Sequence, residues 1–159
     1  MKKFVCKRCE DCCIFKEEEE APLVFYWEKE RLEELALKRG SSLSFKEYLA
    51  VIESNGDRFT YIYKWIIDGK CVFLEGNRCT IHEEKPISCK MFPIIIEVPG
   101  NRMYLSLRCN WVRENAEQIN PSNFPQIFDE FKIAVKVMGM ITEFLKIASE
   151  NAWKVEIIR

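Results

Sequence analysis

The cysteines constrain this chain more than any other feature of it. Four of the eight fall within the first thirteen residues as Cys6-x-x-Cys9-x-x-Cys12-Cys13, and the rest follow as Cys71, Cys79, Cys89 and Cys109, with the only histidine at His82. Two residues between cysteines let a tight turn aim both sulfurs at one ion or cluster, and thiolate is a soft, charged donor for zinc and iron. An even cysteine count reads as a disulfide framework or as a metal framework, and the compartment decides between them. The opening Met-Lys-Lys-Phe-Val-Cys-Lys-Arg is basic with no apolar stretch behind it. No secretory signal is expected there, so the chain is expected to be cytoplasmic with its thiols reduced. Cys12 and Cys13 are also too close in sequence to bridge each other comfortably. Metal is the expectation.

A chain of 159 residues with 48% hydrophobic content can bury a proper core, so a single metal-binding domain over 1–159 is expected, with metal not needed to carry the whole fold. The net charge of -1 and a pI near 6.0 give no global attraction to nucleic acid or anionic lipid. No apolar run approaches the roughly twenty residues that cross a bilayer. Lys2, Lys3, Lys7 and Arg8 surround the first cysteines; they read either as a solvated terminus or as cations that offset the charge of a thiolate centre.

The run Lys16 to Glu20 reads as an exposed, solvated loop. Glu28 to Arg39 predicts a helix, with Leu32, Leu35 and Ala36 at helical spacing and Gly40 at the stop. Ser44 with Glu47 resembles a capping box, and Phe45, Tyr48, Leu49 and Ile52 recur at helical spacing, so a second helix is predicted, ending near Asn55-Gly56. Phe59 to Ile67 predicts a strand with Phe59, Tyr61, Tyr63 and Trp65 on one side as sheet packing. The turn at Glu75-Gly76-Asn77-Arg78 predicts a small hairpin with Cys71 and Cys79 as neighbours at its open ends. Ile94 to Val98 and Met103 to Leu107 flank Pro99-Gly100-Asn101 as a second hairpin. A long helix over about 123–151 closes the chain, its apolar stripe running from Phe124 to Ala148; Gly139 within it implies a close approach to a neighbour. These elements predict an α+β fold dominated by helices, with small antiparallel hairpins carrying the cysteine region, 6–109, against them.

Eight cysteines and His82 supply donors for two four-coordinate sites, or for one cluster and one zinc. The spacing of Cys6, Cys9 and Cys12 equals the first three ligands of a bacterial ferredoxin run. The adjacent Cys13 is expected to point to the opposite side and serve a second centre. Cys79-x-x-His82 has knuckle spacing, which pulls towards zinc, with His82 as ligand or as a donor to a sulfur. Cys89 and Cys109 are the donors from distant sequence. The widely spaced glycines form no phosphate-cradling or dinucleotide loop, and with Cys9-x3-Cys13 lacking a third cysteine no radical S-adenosylmethionine signature is present.

At Cys6, Cys9, Cys12 and Cys13, then Cys71-Val-Phe-Leu, Cys79-Thr-Ile-His82, Lys85-Pro86, Cys89 and Phe92-Pro93, the sequence resembles the CxxCxxCC cysteine-cluster (YkgJ-like) domains, described as zinc- or iron-chelating. Lys85 stands where that family usually shows arginine, and the resemblance spans roughly Cys6 to Cys109. It implies a cysteine-bound metal centre without choosing between zinc and iron–sulfur. Related clusters in bacterial flagellin lysine methylases add a methylase-like alternative. The leading expectation is an iron–sulfur cluster, with room for a second metal, held by Cys6, Cys9, Cys12, Cys13, Cys71, Cys79, His82, Cys89 and Cys109. The role expected is electron transfer or accessory work beside a redox or client protein. A zinc-stabilised interaction module is the alternative.

Overall fold

The computed structural model describes residues 2–7, 11–99 and 102–159, and of Asp11 and Glu19 the backbone alone. Cys9, and Gly100 and Asn101 of the predicted second hairpin turn, lie outside the described residues.

After a 3-10 turn at Asp11–Cys13 come the short strand β1 (Ile14–Phe15), a second 3-10 turn at Glu18–Glu20 and β2 (Leu23–Phe25). The helix α1 (Tyr26–Leu37) follows as predicted. Its end is set by Gly40 at φ +71°, the left-handed conformation that glycine adopts without a Cβ penalty. There the Gly40 N–H bonds Leu37 O and the Ser41 N–H bonds Ala36 O.

Residues Ser44–Ile52 form strand β3 and not the predicted helix. β3 pairs antiparallel with β4 (Arg58–Ile66) from Ser44↔Ile66 to Ile52↔Arg58, with register shifts between Glu47 and Leu49 and between Leu49 and Ala50. Those irregularities explain the misreading. A bulge breaks the period of two, so Leu49, Ala50 and Val51 are buried in succession and the apolar positions imitate a helical stripe. The ladder to β4 then decides the outcome, because pairing against a neighbour outweighs weak local propensity. The sheet is completed by β2 on one edge and by the C-terminal strand β10 (Lys154–Ile157) on the other, in the order β10-β3-β4-β2, all antiparallel.

Among the described residues, three two-stranded ribbons carry the rest. β1 pairs with β5 (Gly69–Lys70), β6 (Leu74–Glu75) with β7 (Arg78–Cys79), and β8 (Ile94–Glu97) with β9 (Arg102–Leu105). The β6–β7 turn holds Gly76 at φ +59° in the first central position, where a two-residue hairpin turn of type II′ requires it. The helices α2 (Ile87–Lys90), α3 (Asn110–Asn115), α4 (Phe124–Ile127) and α5 (Phe131–Glu150) follow. The predicted helix over 123–151 is therefore broken at Phe128, whose backbone is extended (φ -114°, ψ 115°). Phe128 is fully buried in a cluster with Phe4, Trp111 and Phe124. That packing offsets the lost helical bonds.

Helix accounts for 35% and strand for 27% of the chain. The fold is mixed α+β, and helices do not dominate it as expected, chiefly because Ser44–Ile52 changed type. Two hydrophobic clusters form. The larger joins β4, β8, α3, α4 and α5 through Ile62, Ile94, Trp111, Ile127 and Ile141. The smaller joins α1 and β4 to the cysteine region through Leu32, Trp65 and Phe73. The aromatic row of β4 is sheet packing as predicted: Tyr61 stacks on Phe144 at 3.9 Å between centroids and Trp65 meets Phe73 edge-on at 5.8 Å. Gly139 has no neighbour within 4 Å of a Cβ position, so the expected close approach is absent there. No helix among the described residues is long and apolar enough to cross a membrane.

Candidate metal centre

The smaller hydrophobic cluster is where the two cysteine sets meet. Cys71 is buried in it, and Cys13 and Cys79 pack against it beside Ile14, Phe73 and Leu74. The backbone fixes this arrangement. The Cys71 N–H donates to Cys13 O at 2.8 Å, and β1, directly after Cys13, pairs with β5, directly before Cys71. Cys71 then starts a turn in which the Leu74 N–H bonds Cys71 O at 3.0 Å. The cross-strand partner of Cys79 is Leu74, and Cys71 and Cys79 are neighbours in the smaller cluster, as predicted. The two cysteines share a cluster without facing each other across a ladder.

Cys12 and Cys13 sit on a 3-10 turn, where the alternation of an extended strand does not apply. Their sulfurs lie 3.9 Å apart, so Cys13 does not turn away from Cys12 as expected. Two thiolates on one tetrahedral ion, with metal–sulfur bonds of about 2.3 Å, stand about 3.8 Å apart. The pair thus has the spacing of two donors to the same ion.

Cys89 arrives on α2, whose position is set by Glu28. This carboxylate accepts the Phe25 N–H at 3.1 Å, closing the start of α1, and the Ile87 N–H at 2.7 Å, closing the start of α2. Burial pushes the Glu28 carboxyl upward against the pull of those two N–H donors. Burial also raises the Cys89 thiol, with the sulfurs of Cys71, Cys12 and Cys79 adding to the effect. The Cys71 thiol is pushed up to about 11, mainly by burial. The Cys12 thiol is raised by its hydrogen bond with the Cys13 sulfur and then by burial, while Lys85 and Arg108 oppose the rise. Cys12, Cys13, Cys71, Cys79 and Cys89 therefore share one region, and the thiols raised there by burial, Cys12, Cys71 and Cys89, would give up protons to a bound metal.

The remaining predicted donors stand apart. Cys6 is exposed on the N-terminal segment, which is held by the Phe4 N–H to Ile127 O at 2.9 Å and by the Lys7–Glu114 ion pair. Cys109 is buried in the larger cluster, at the start of α3. His82 is exposed, with Nδ1 3.3 Å from Lys85 Nζ. Cys9 falls outside the described residues. Among the described residues no three His, Cys, Asp or Glu side chains stand close enough together to hold one ion. The site's fit to metal lies in its donors: Cys12, Cys13, Cys71, Cys79 and Cys89 are free thiols, and two of them already stand at a shared-ion distance.

Sequence reasoning missed Glu28, Glu20 and Arg108. Glu20, read as part of a solvated run, pairs with Arg108 at 2.6 Å. Only the capping of α1 by Glu28, at its third position, left a local signal in the sequence.

A family model described as "CxxCxxCC: Putative zinc- or iron-chelating domain" matches residues 5–123, well over half of the chain. The chain belongs to the CxxCxxCC family. Its match takes in both cysteine sets and extends past Cys109 through α3, leaving α5 outside. No curated protein and no solved structure matches the chain.

Proposed function

We propose that this CxxCxxCC protein binds zinc or iron in a thiolate centre drawn from Cys12, Cys13, Cys71, Cys79 and Cys89, with Cys12 and Cys13 on the same ion. The observation that carries this reading is the 3.9 Å between the Cys12 and Cys13 sulfurs, the edge length of a tetrahedral thiolate site. Zinc or a single iron takes two adjacent sulfurs in that way; a cubane assigns each thiolate to a different iron and spreads its sulfurs further. The five cysteines lie on a 3-10 turn, a loop, a hairpin strand and a short helix. A metal that joins them would tie together segments distant in sequence. The centre and the two hydrophobic clusters would act as one metal-binding domain.

An iron–sulfur cluster serving electron transfer, or accessory work with a redox or client protein, is the second reading. The spacing Cys6-x-x-Cys9-x-x-Cys12 favours it. Anaerobic purification followed by metal analysis and visible absorption separates the two. One zinc or one iron without acid-labile sulfide supports the single-ion centre. A brown protein with iron and sulfide in equal amounts supports the cluster, and a protein free of both metals sinks both readings.

A further inference from the structure

We propose, resting on the thiolate-centre reading above, that Arg108 is the positioning residue that fastens the Cys12–Cys13 segment to the segment carrying Cys89. The two are separated by most of the cysteine region in sequence, and the backbone does little to join them. The β1–β5 ribbon has two residue pairs, Ile14↔Lys70 and Phe15↔Gly69, and an isolated two-stranded ribbon is marginally stable at best. Something further must hold Cys12 and Cys13 in place.

Arg108 reaches both sides. Its guanidinium donates to Ile14 O at 3.2 Å and pairs with Glu20 at 2.6 Å, both just beyond Cys13 in the chain. The guanidinium carbon lies 4.4 Å from the centroid of Phe15 and 5.6 Å from that of Phe92, which follows Cys89 by three residues. Its own backbone is pinned by the Arg108 N–H to Ser106 Oγ at 3.2 Å, after β9. A planar fork that bonds a carbonyl and a carboxylate while its cation lies over two rings is chemistry that lysine cannot reproduce. Arg108 is therefore a clamp, specific in shape as well as in charge.

The test is site-resolved alkylation of the metal-free full chain by iodoacetamide, read by mass spectrometry, together with zinc affinity by competition against a chromophoric chelator. In Arg108→Gln, Cys12 and Cys13 should react at least fivefold faster than in the unaltered chain while Cys71 and Cys89 keep their rates, and zinc should bind at least tenfold more weakly. Arg108→Lys should restore less than half of either effect on a logarithmic scale. Slower or unchanged labelling of Cys12 and Cys13 overturns the clamp. Equal acceleration at Cys71 and Cys89 also overturns it, as general loosening. Should Arg108→Gln fail to fold, Glu20→Gln removes the ion pair and must show the same selective acceleration, in smaller degree. A chain that binds no zinc or iron defeats the thiolate-centre reading, while the labelling pattern still decides the role of Arg108.

Discussion

Glu28 shows how one side chain can serve two helix ends. It accepts the N–H of Phe25 and that of Ile87, so removing it orphans a donor at the start of α1 and another at the start of the helix that carries Cys89. Leaving a half-buried donor unsatisfied costs about 1–3 kcal/mol. Glu28→Ala orphans two such donors and should lower unfolding stability by about 2–6 kcal/mol in urea denaturation, and should raise the alkylation rate of Cys89 more than that of Cys71. The titration of Glu28 has a definite sign. Burial raises its folded pKa above the unfolded value, so its contribution to stability is fully present below the ordinary glutamate range and is lost as pH rises through the folded pKa. In metal-free protein, the stability of the unaltered chain relative to Glu28→Gln should therefore fall as pH is raised through that window. A relative stability that rises instead would contradict the assignment. The sequence exposes only half of this role, because the capping of α1 is local whereas the bond to Ile87 spans distant segments.

At the scale of elements, the sequence was most legible where the period was regular. The helix Tyr26–Leu37 and the strand Arg58–Ile66 appear within a few residues of their predicted bounds. It was least legible where tertiary packing overrides period. The bulged β3 imitates a helix through Phe45, Tyr48, Leu49 and Ile52, and the buried Phe128 breaks a stripe that is otherwise continuous into α5. Leu49 is fully buried against the larger cluster, so Leu49→Ala should cost about 2–5 kcal/mol, measured by denaturant unfolding. Helical replacement of β3 would be seen in the same sample as lost amide protection at Leu49 and Ile62, which pair across β3 and β4. For the site, the cysteine spacing points to metal, yet it misplaces Cys13, because the alternation of a strand does not hold where the backbone makes a 3-10 turn. The grouping of Cys13, Cys71 and Cys79 in one cluster depends on the β1–β5 pairing, for which two residues on each side leave almost no sequence signal.

The larger hydrophobic cluster is built around the sheet and α5, and among the described residues Cys109 is the only cysteine it takes in. The smaller cluster carries Cys71 with Cys13 and Cys79 at its edge. Metal removal should therefore act unevenly. Chelation is expected to leave the far-UV circular dichroism close to that of the loaded protein, while limited proteolysis shifts to the segment before Ile14 and to residues 71–90. Global unfolding on chelation would show that metal carries the whole fold, as it does in chains too small for a core. X-ray absorption at the metal edge of the loaded full chain reads directly whether Cys12 and Cys13 share one thiolate-bound ion. A shared ion requires a first shell dominated by sulfur at about 2.3 Å that loses sulfur in Cys12→Ser and in Cys13→Ser alike. A first shell of nitrogen and oxygen, or one unchanged in both variants, would contradict it.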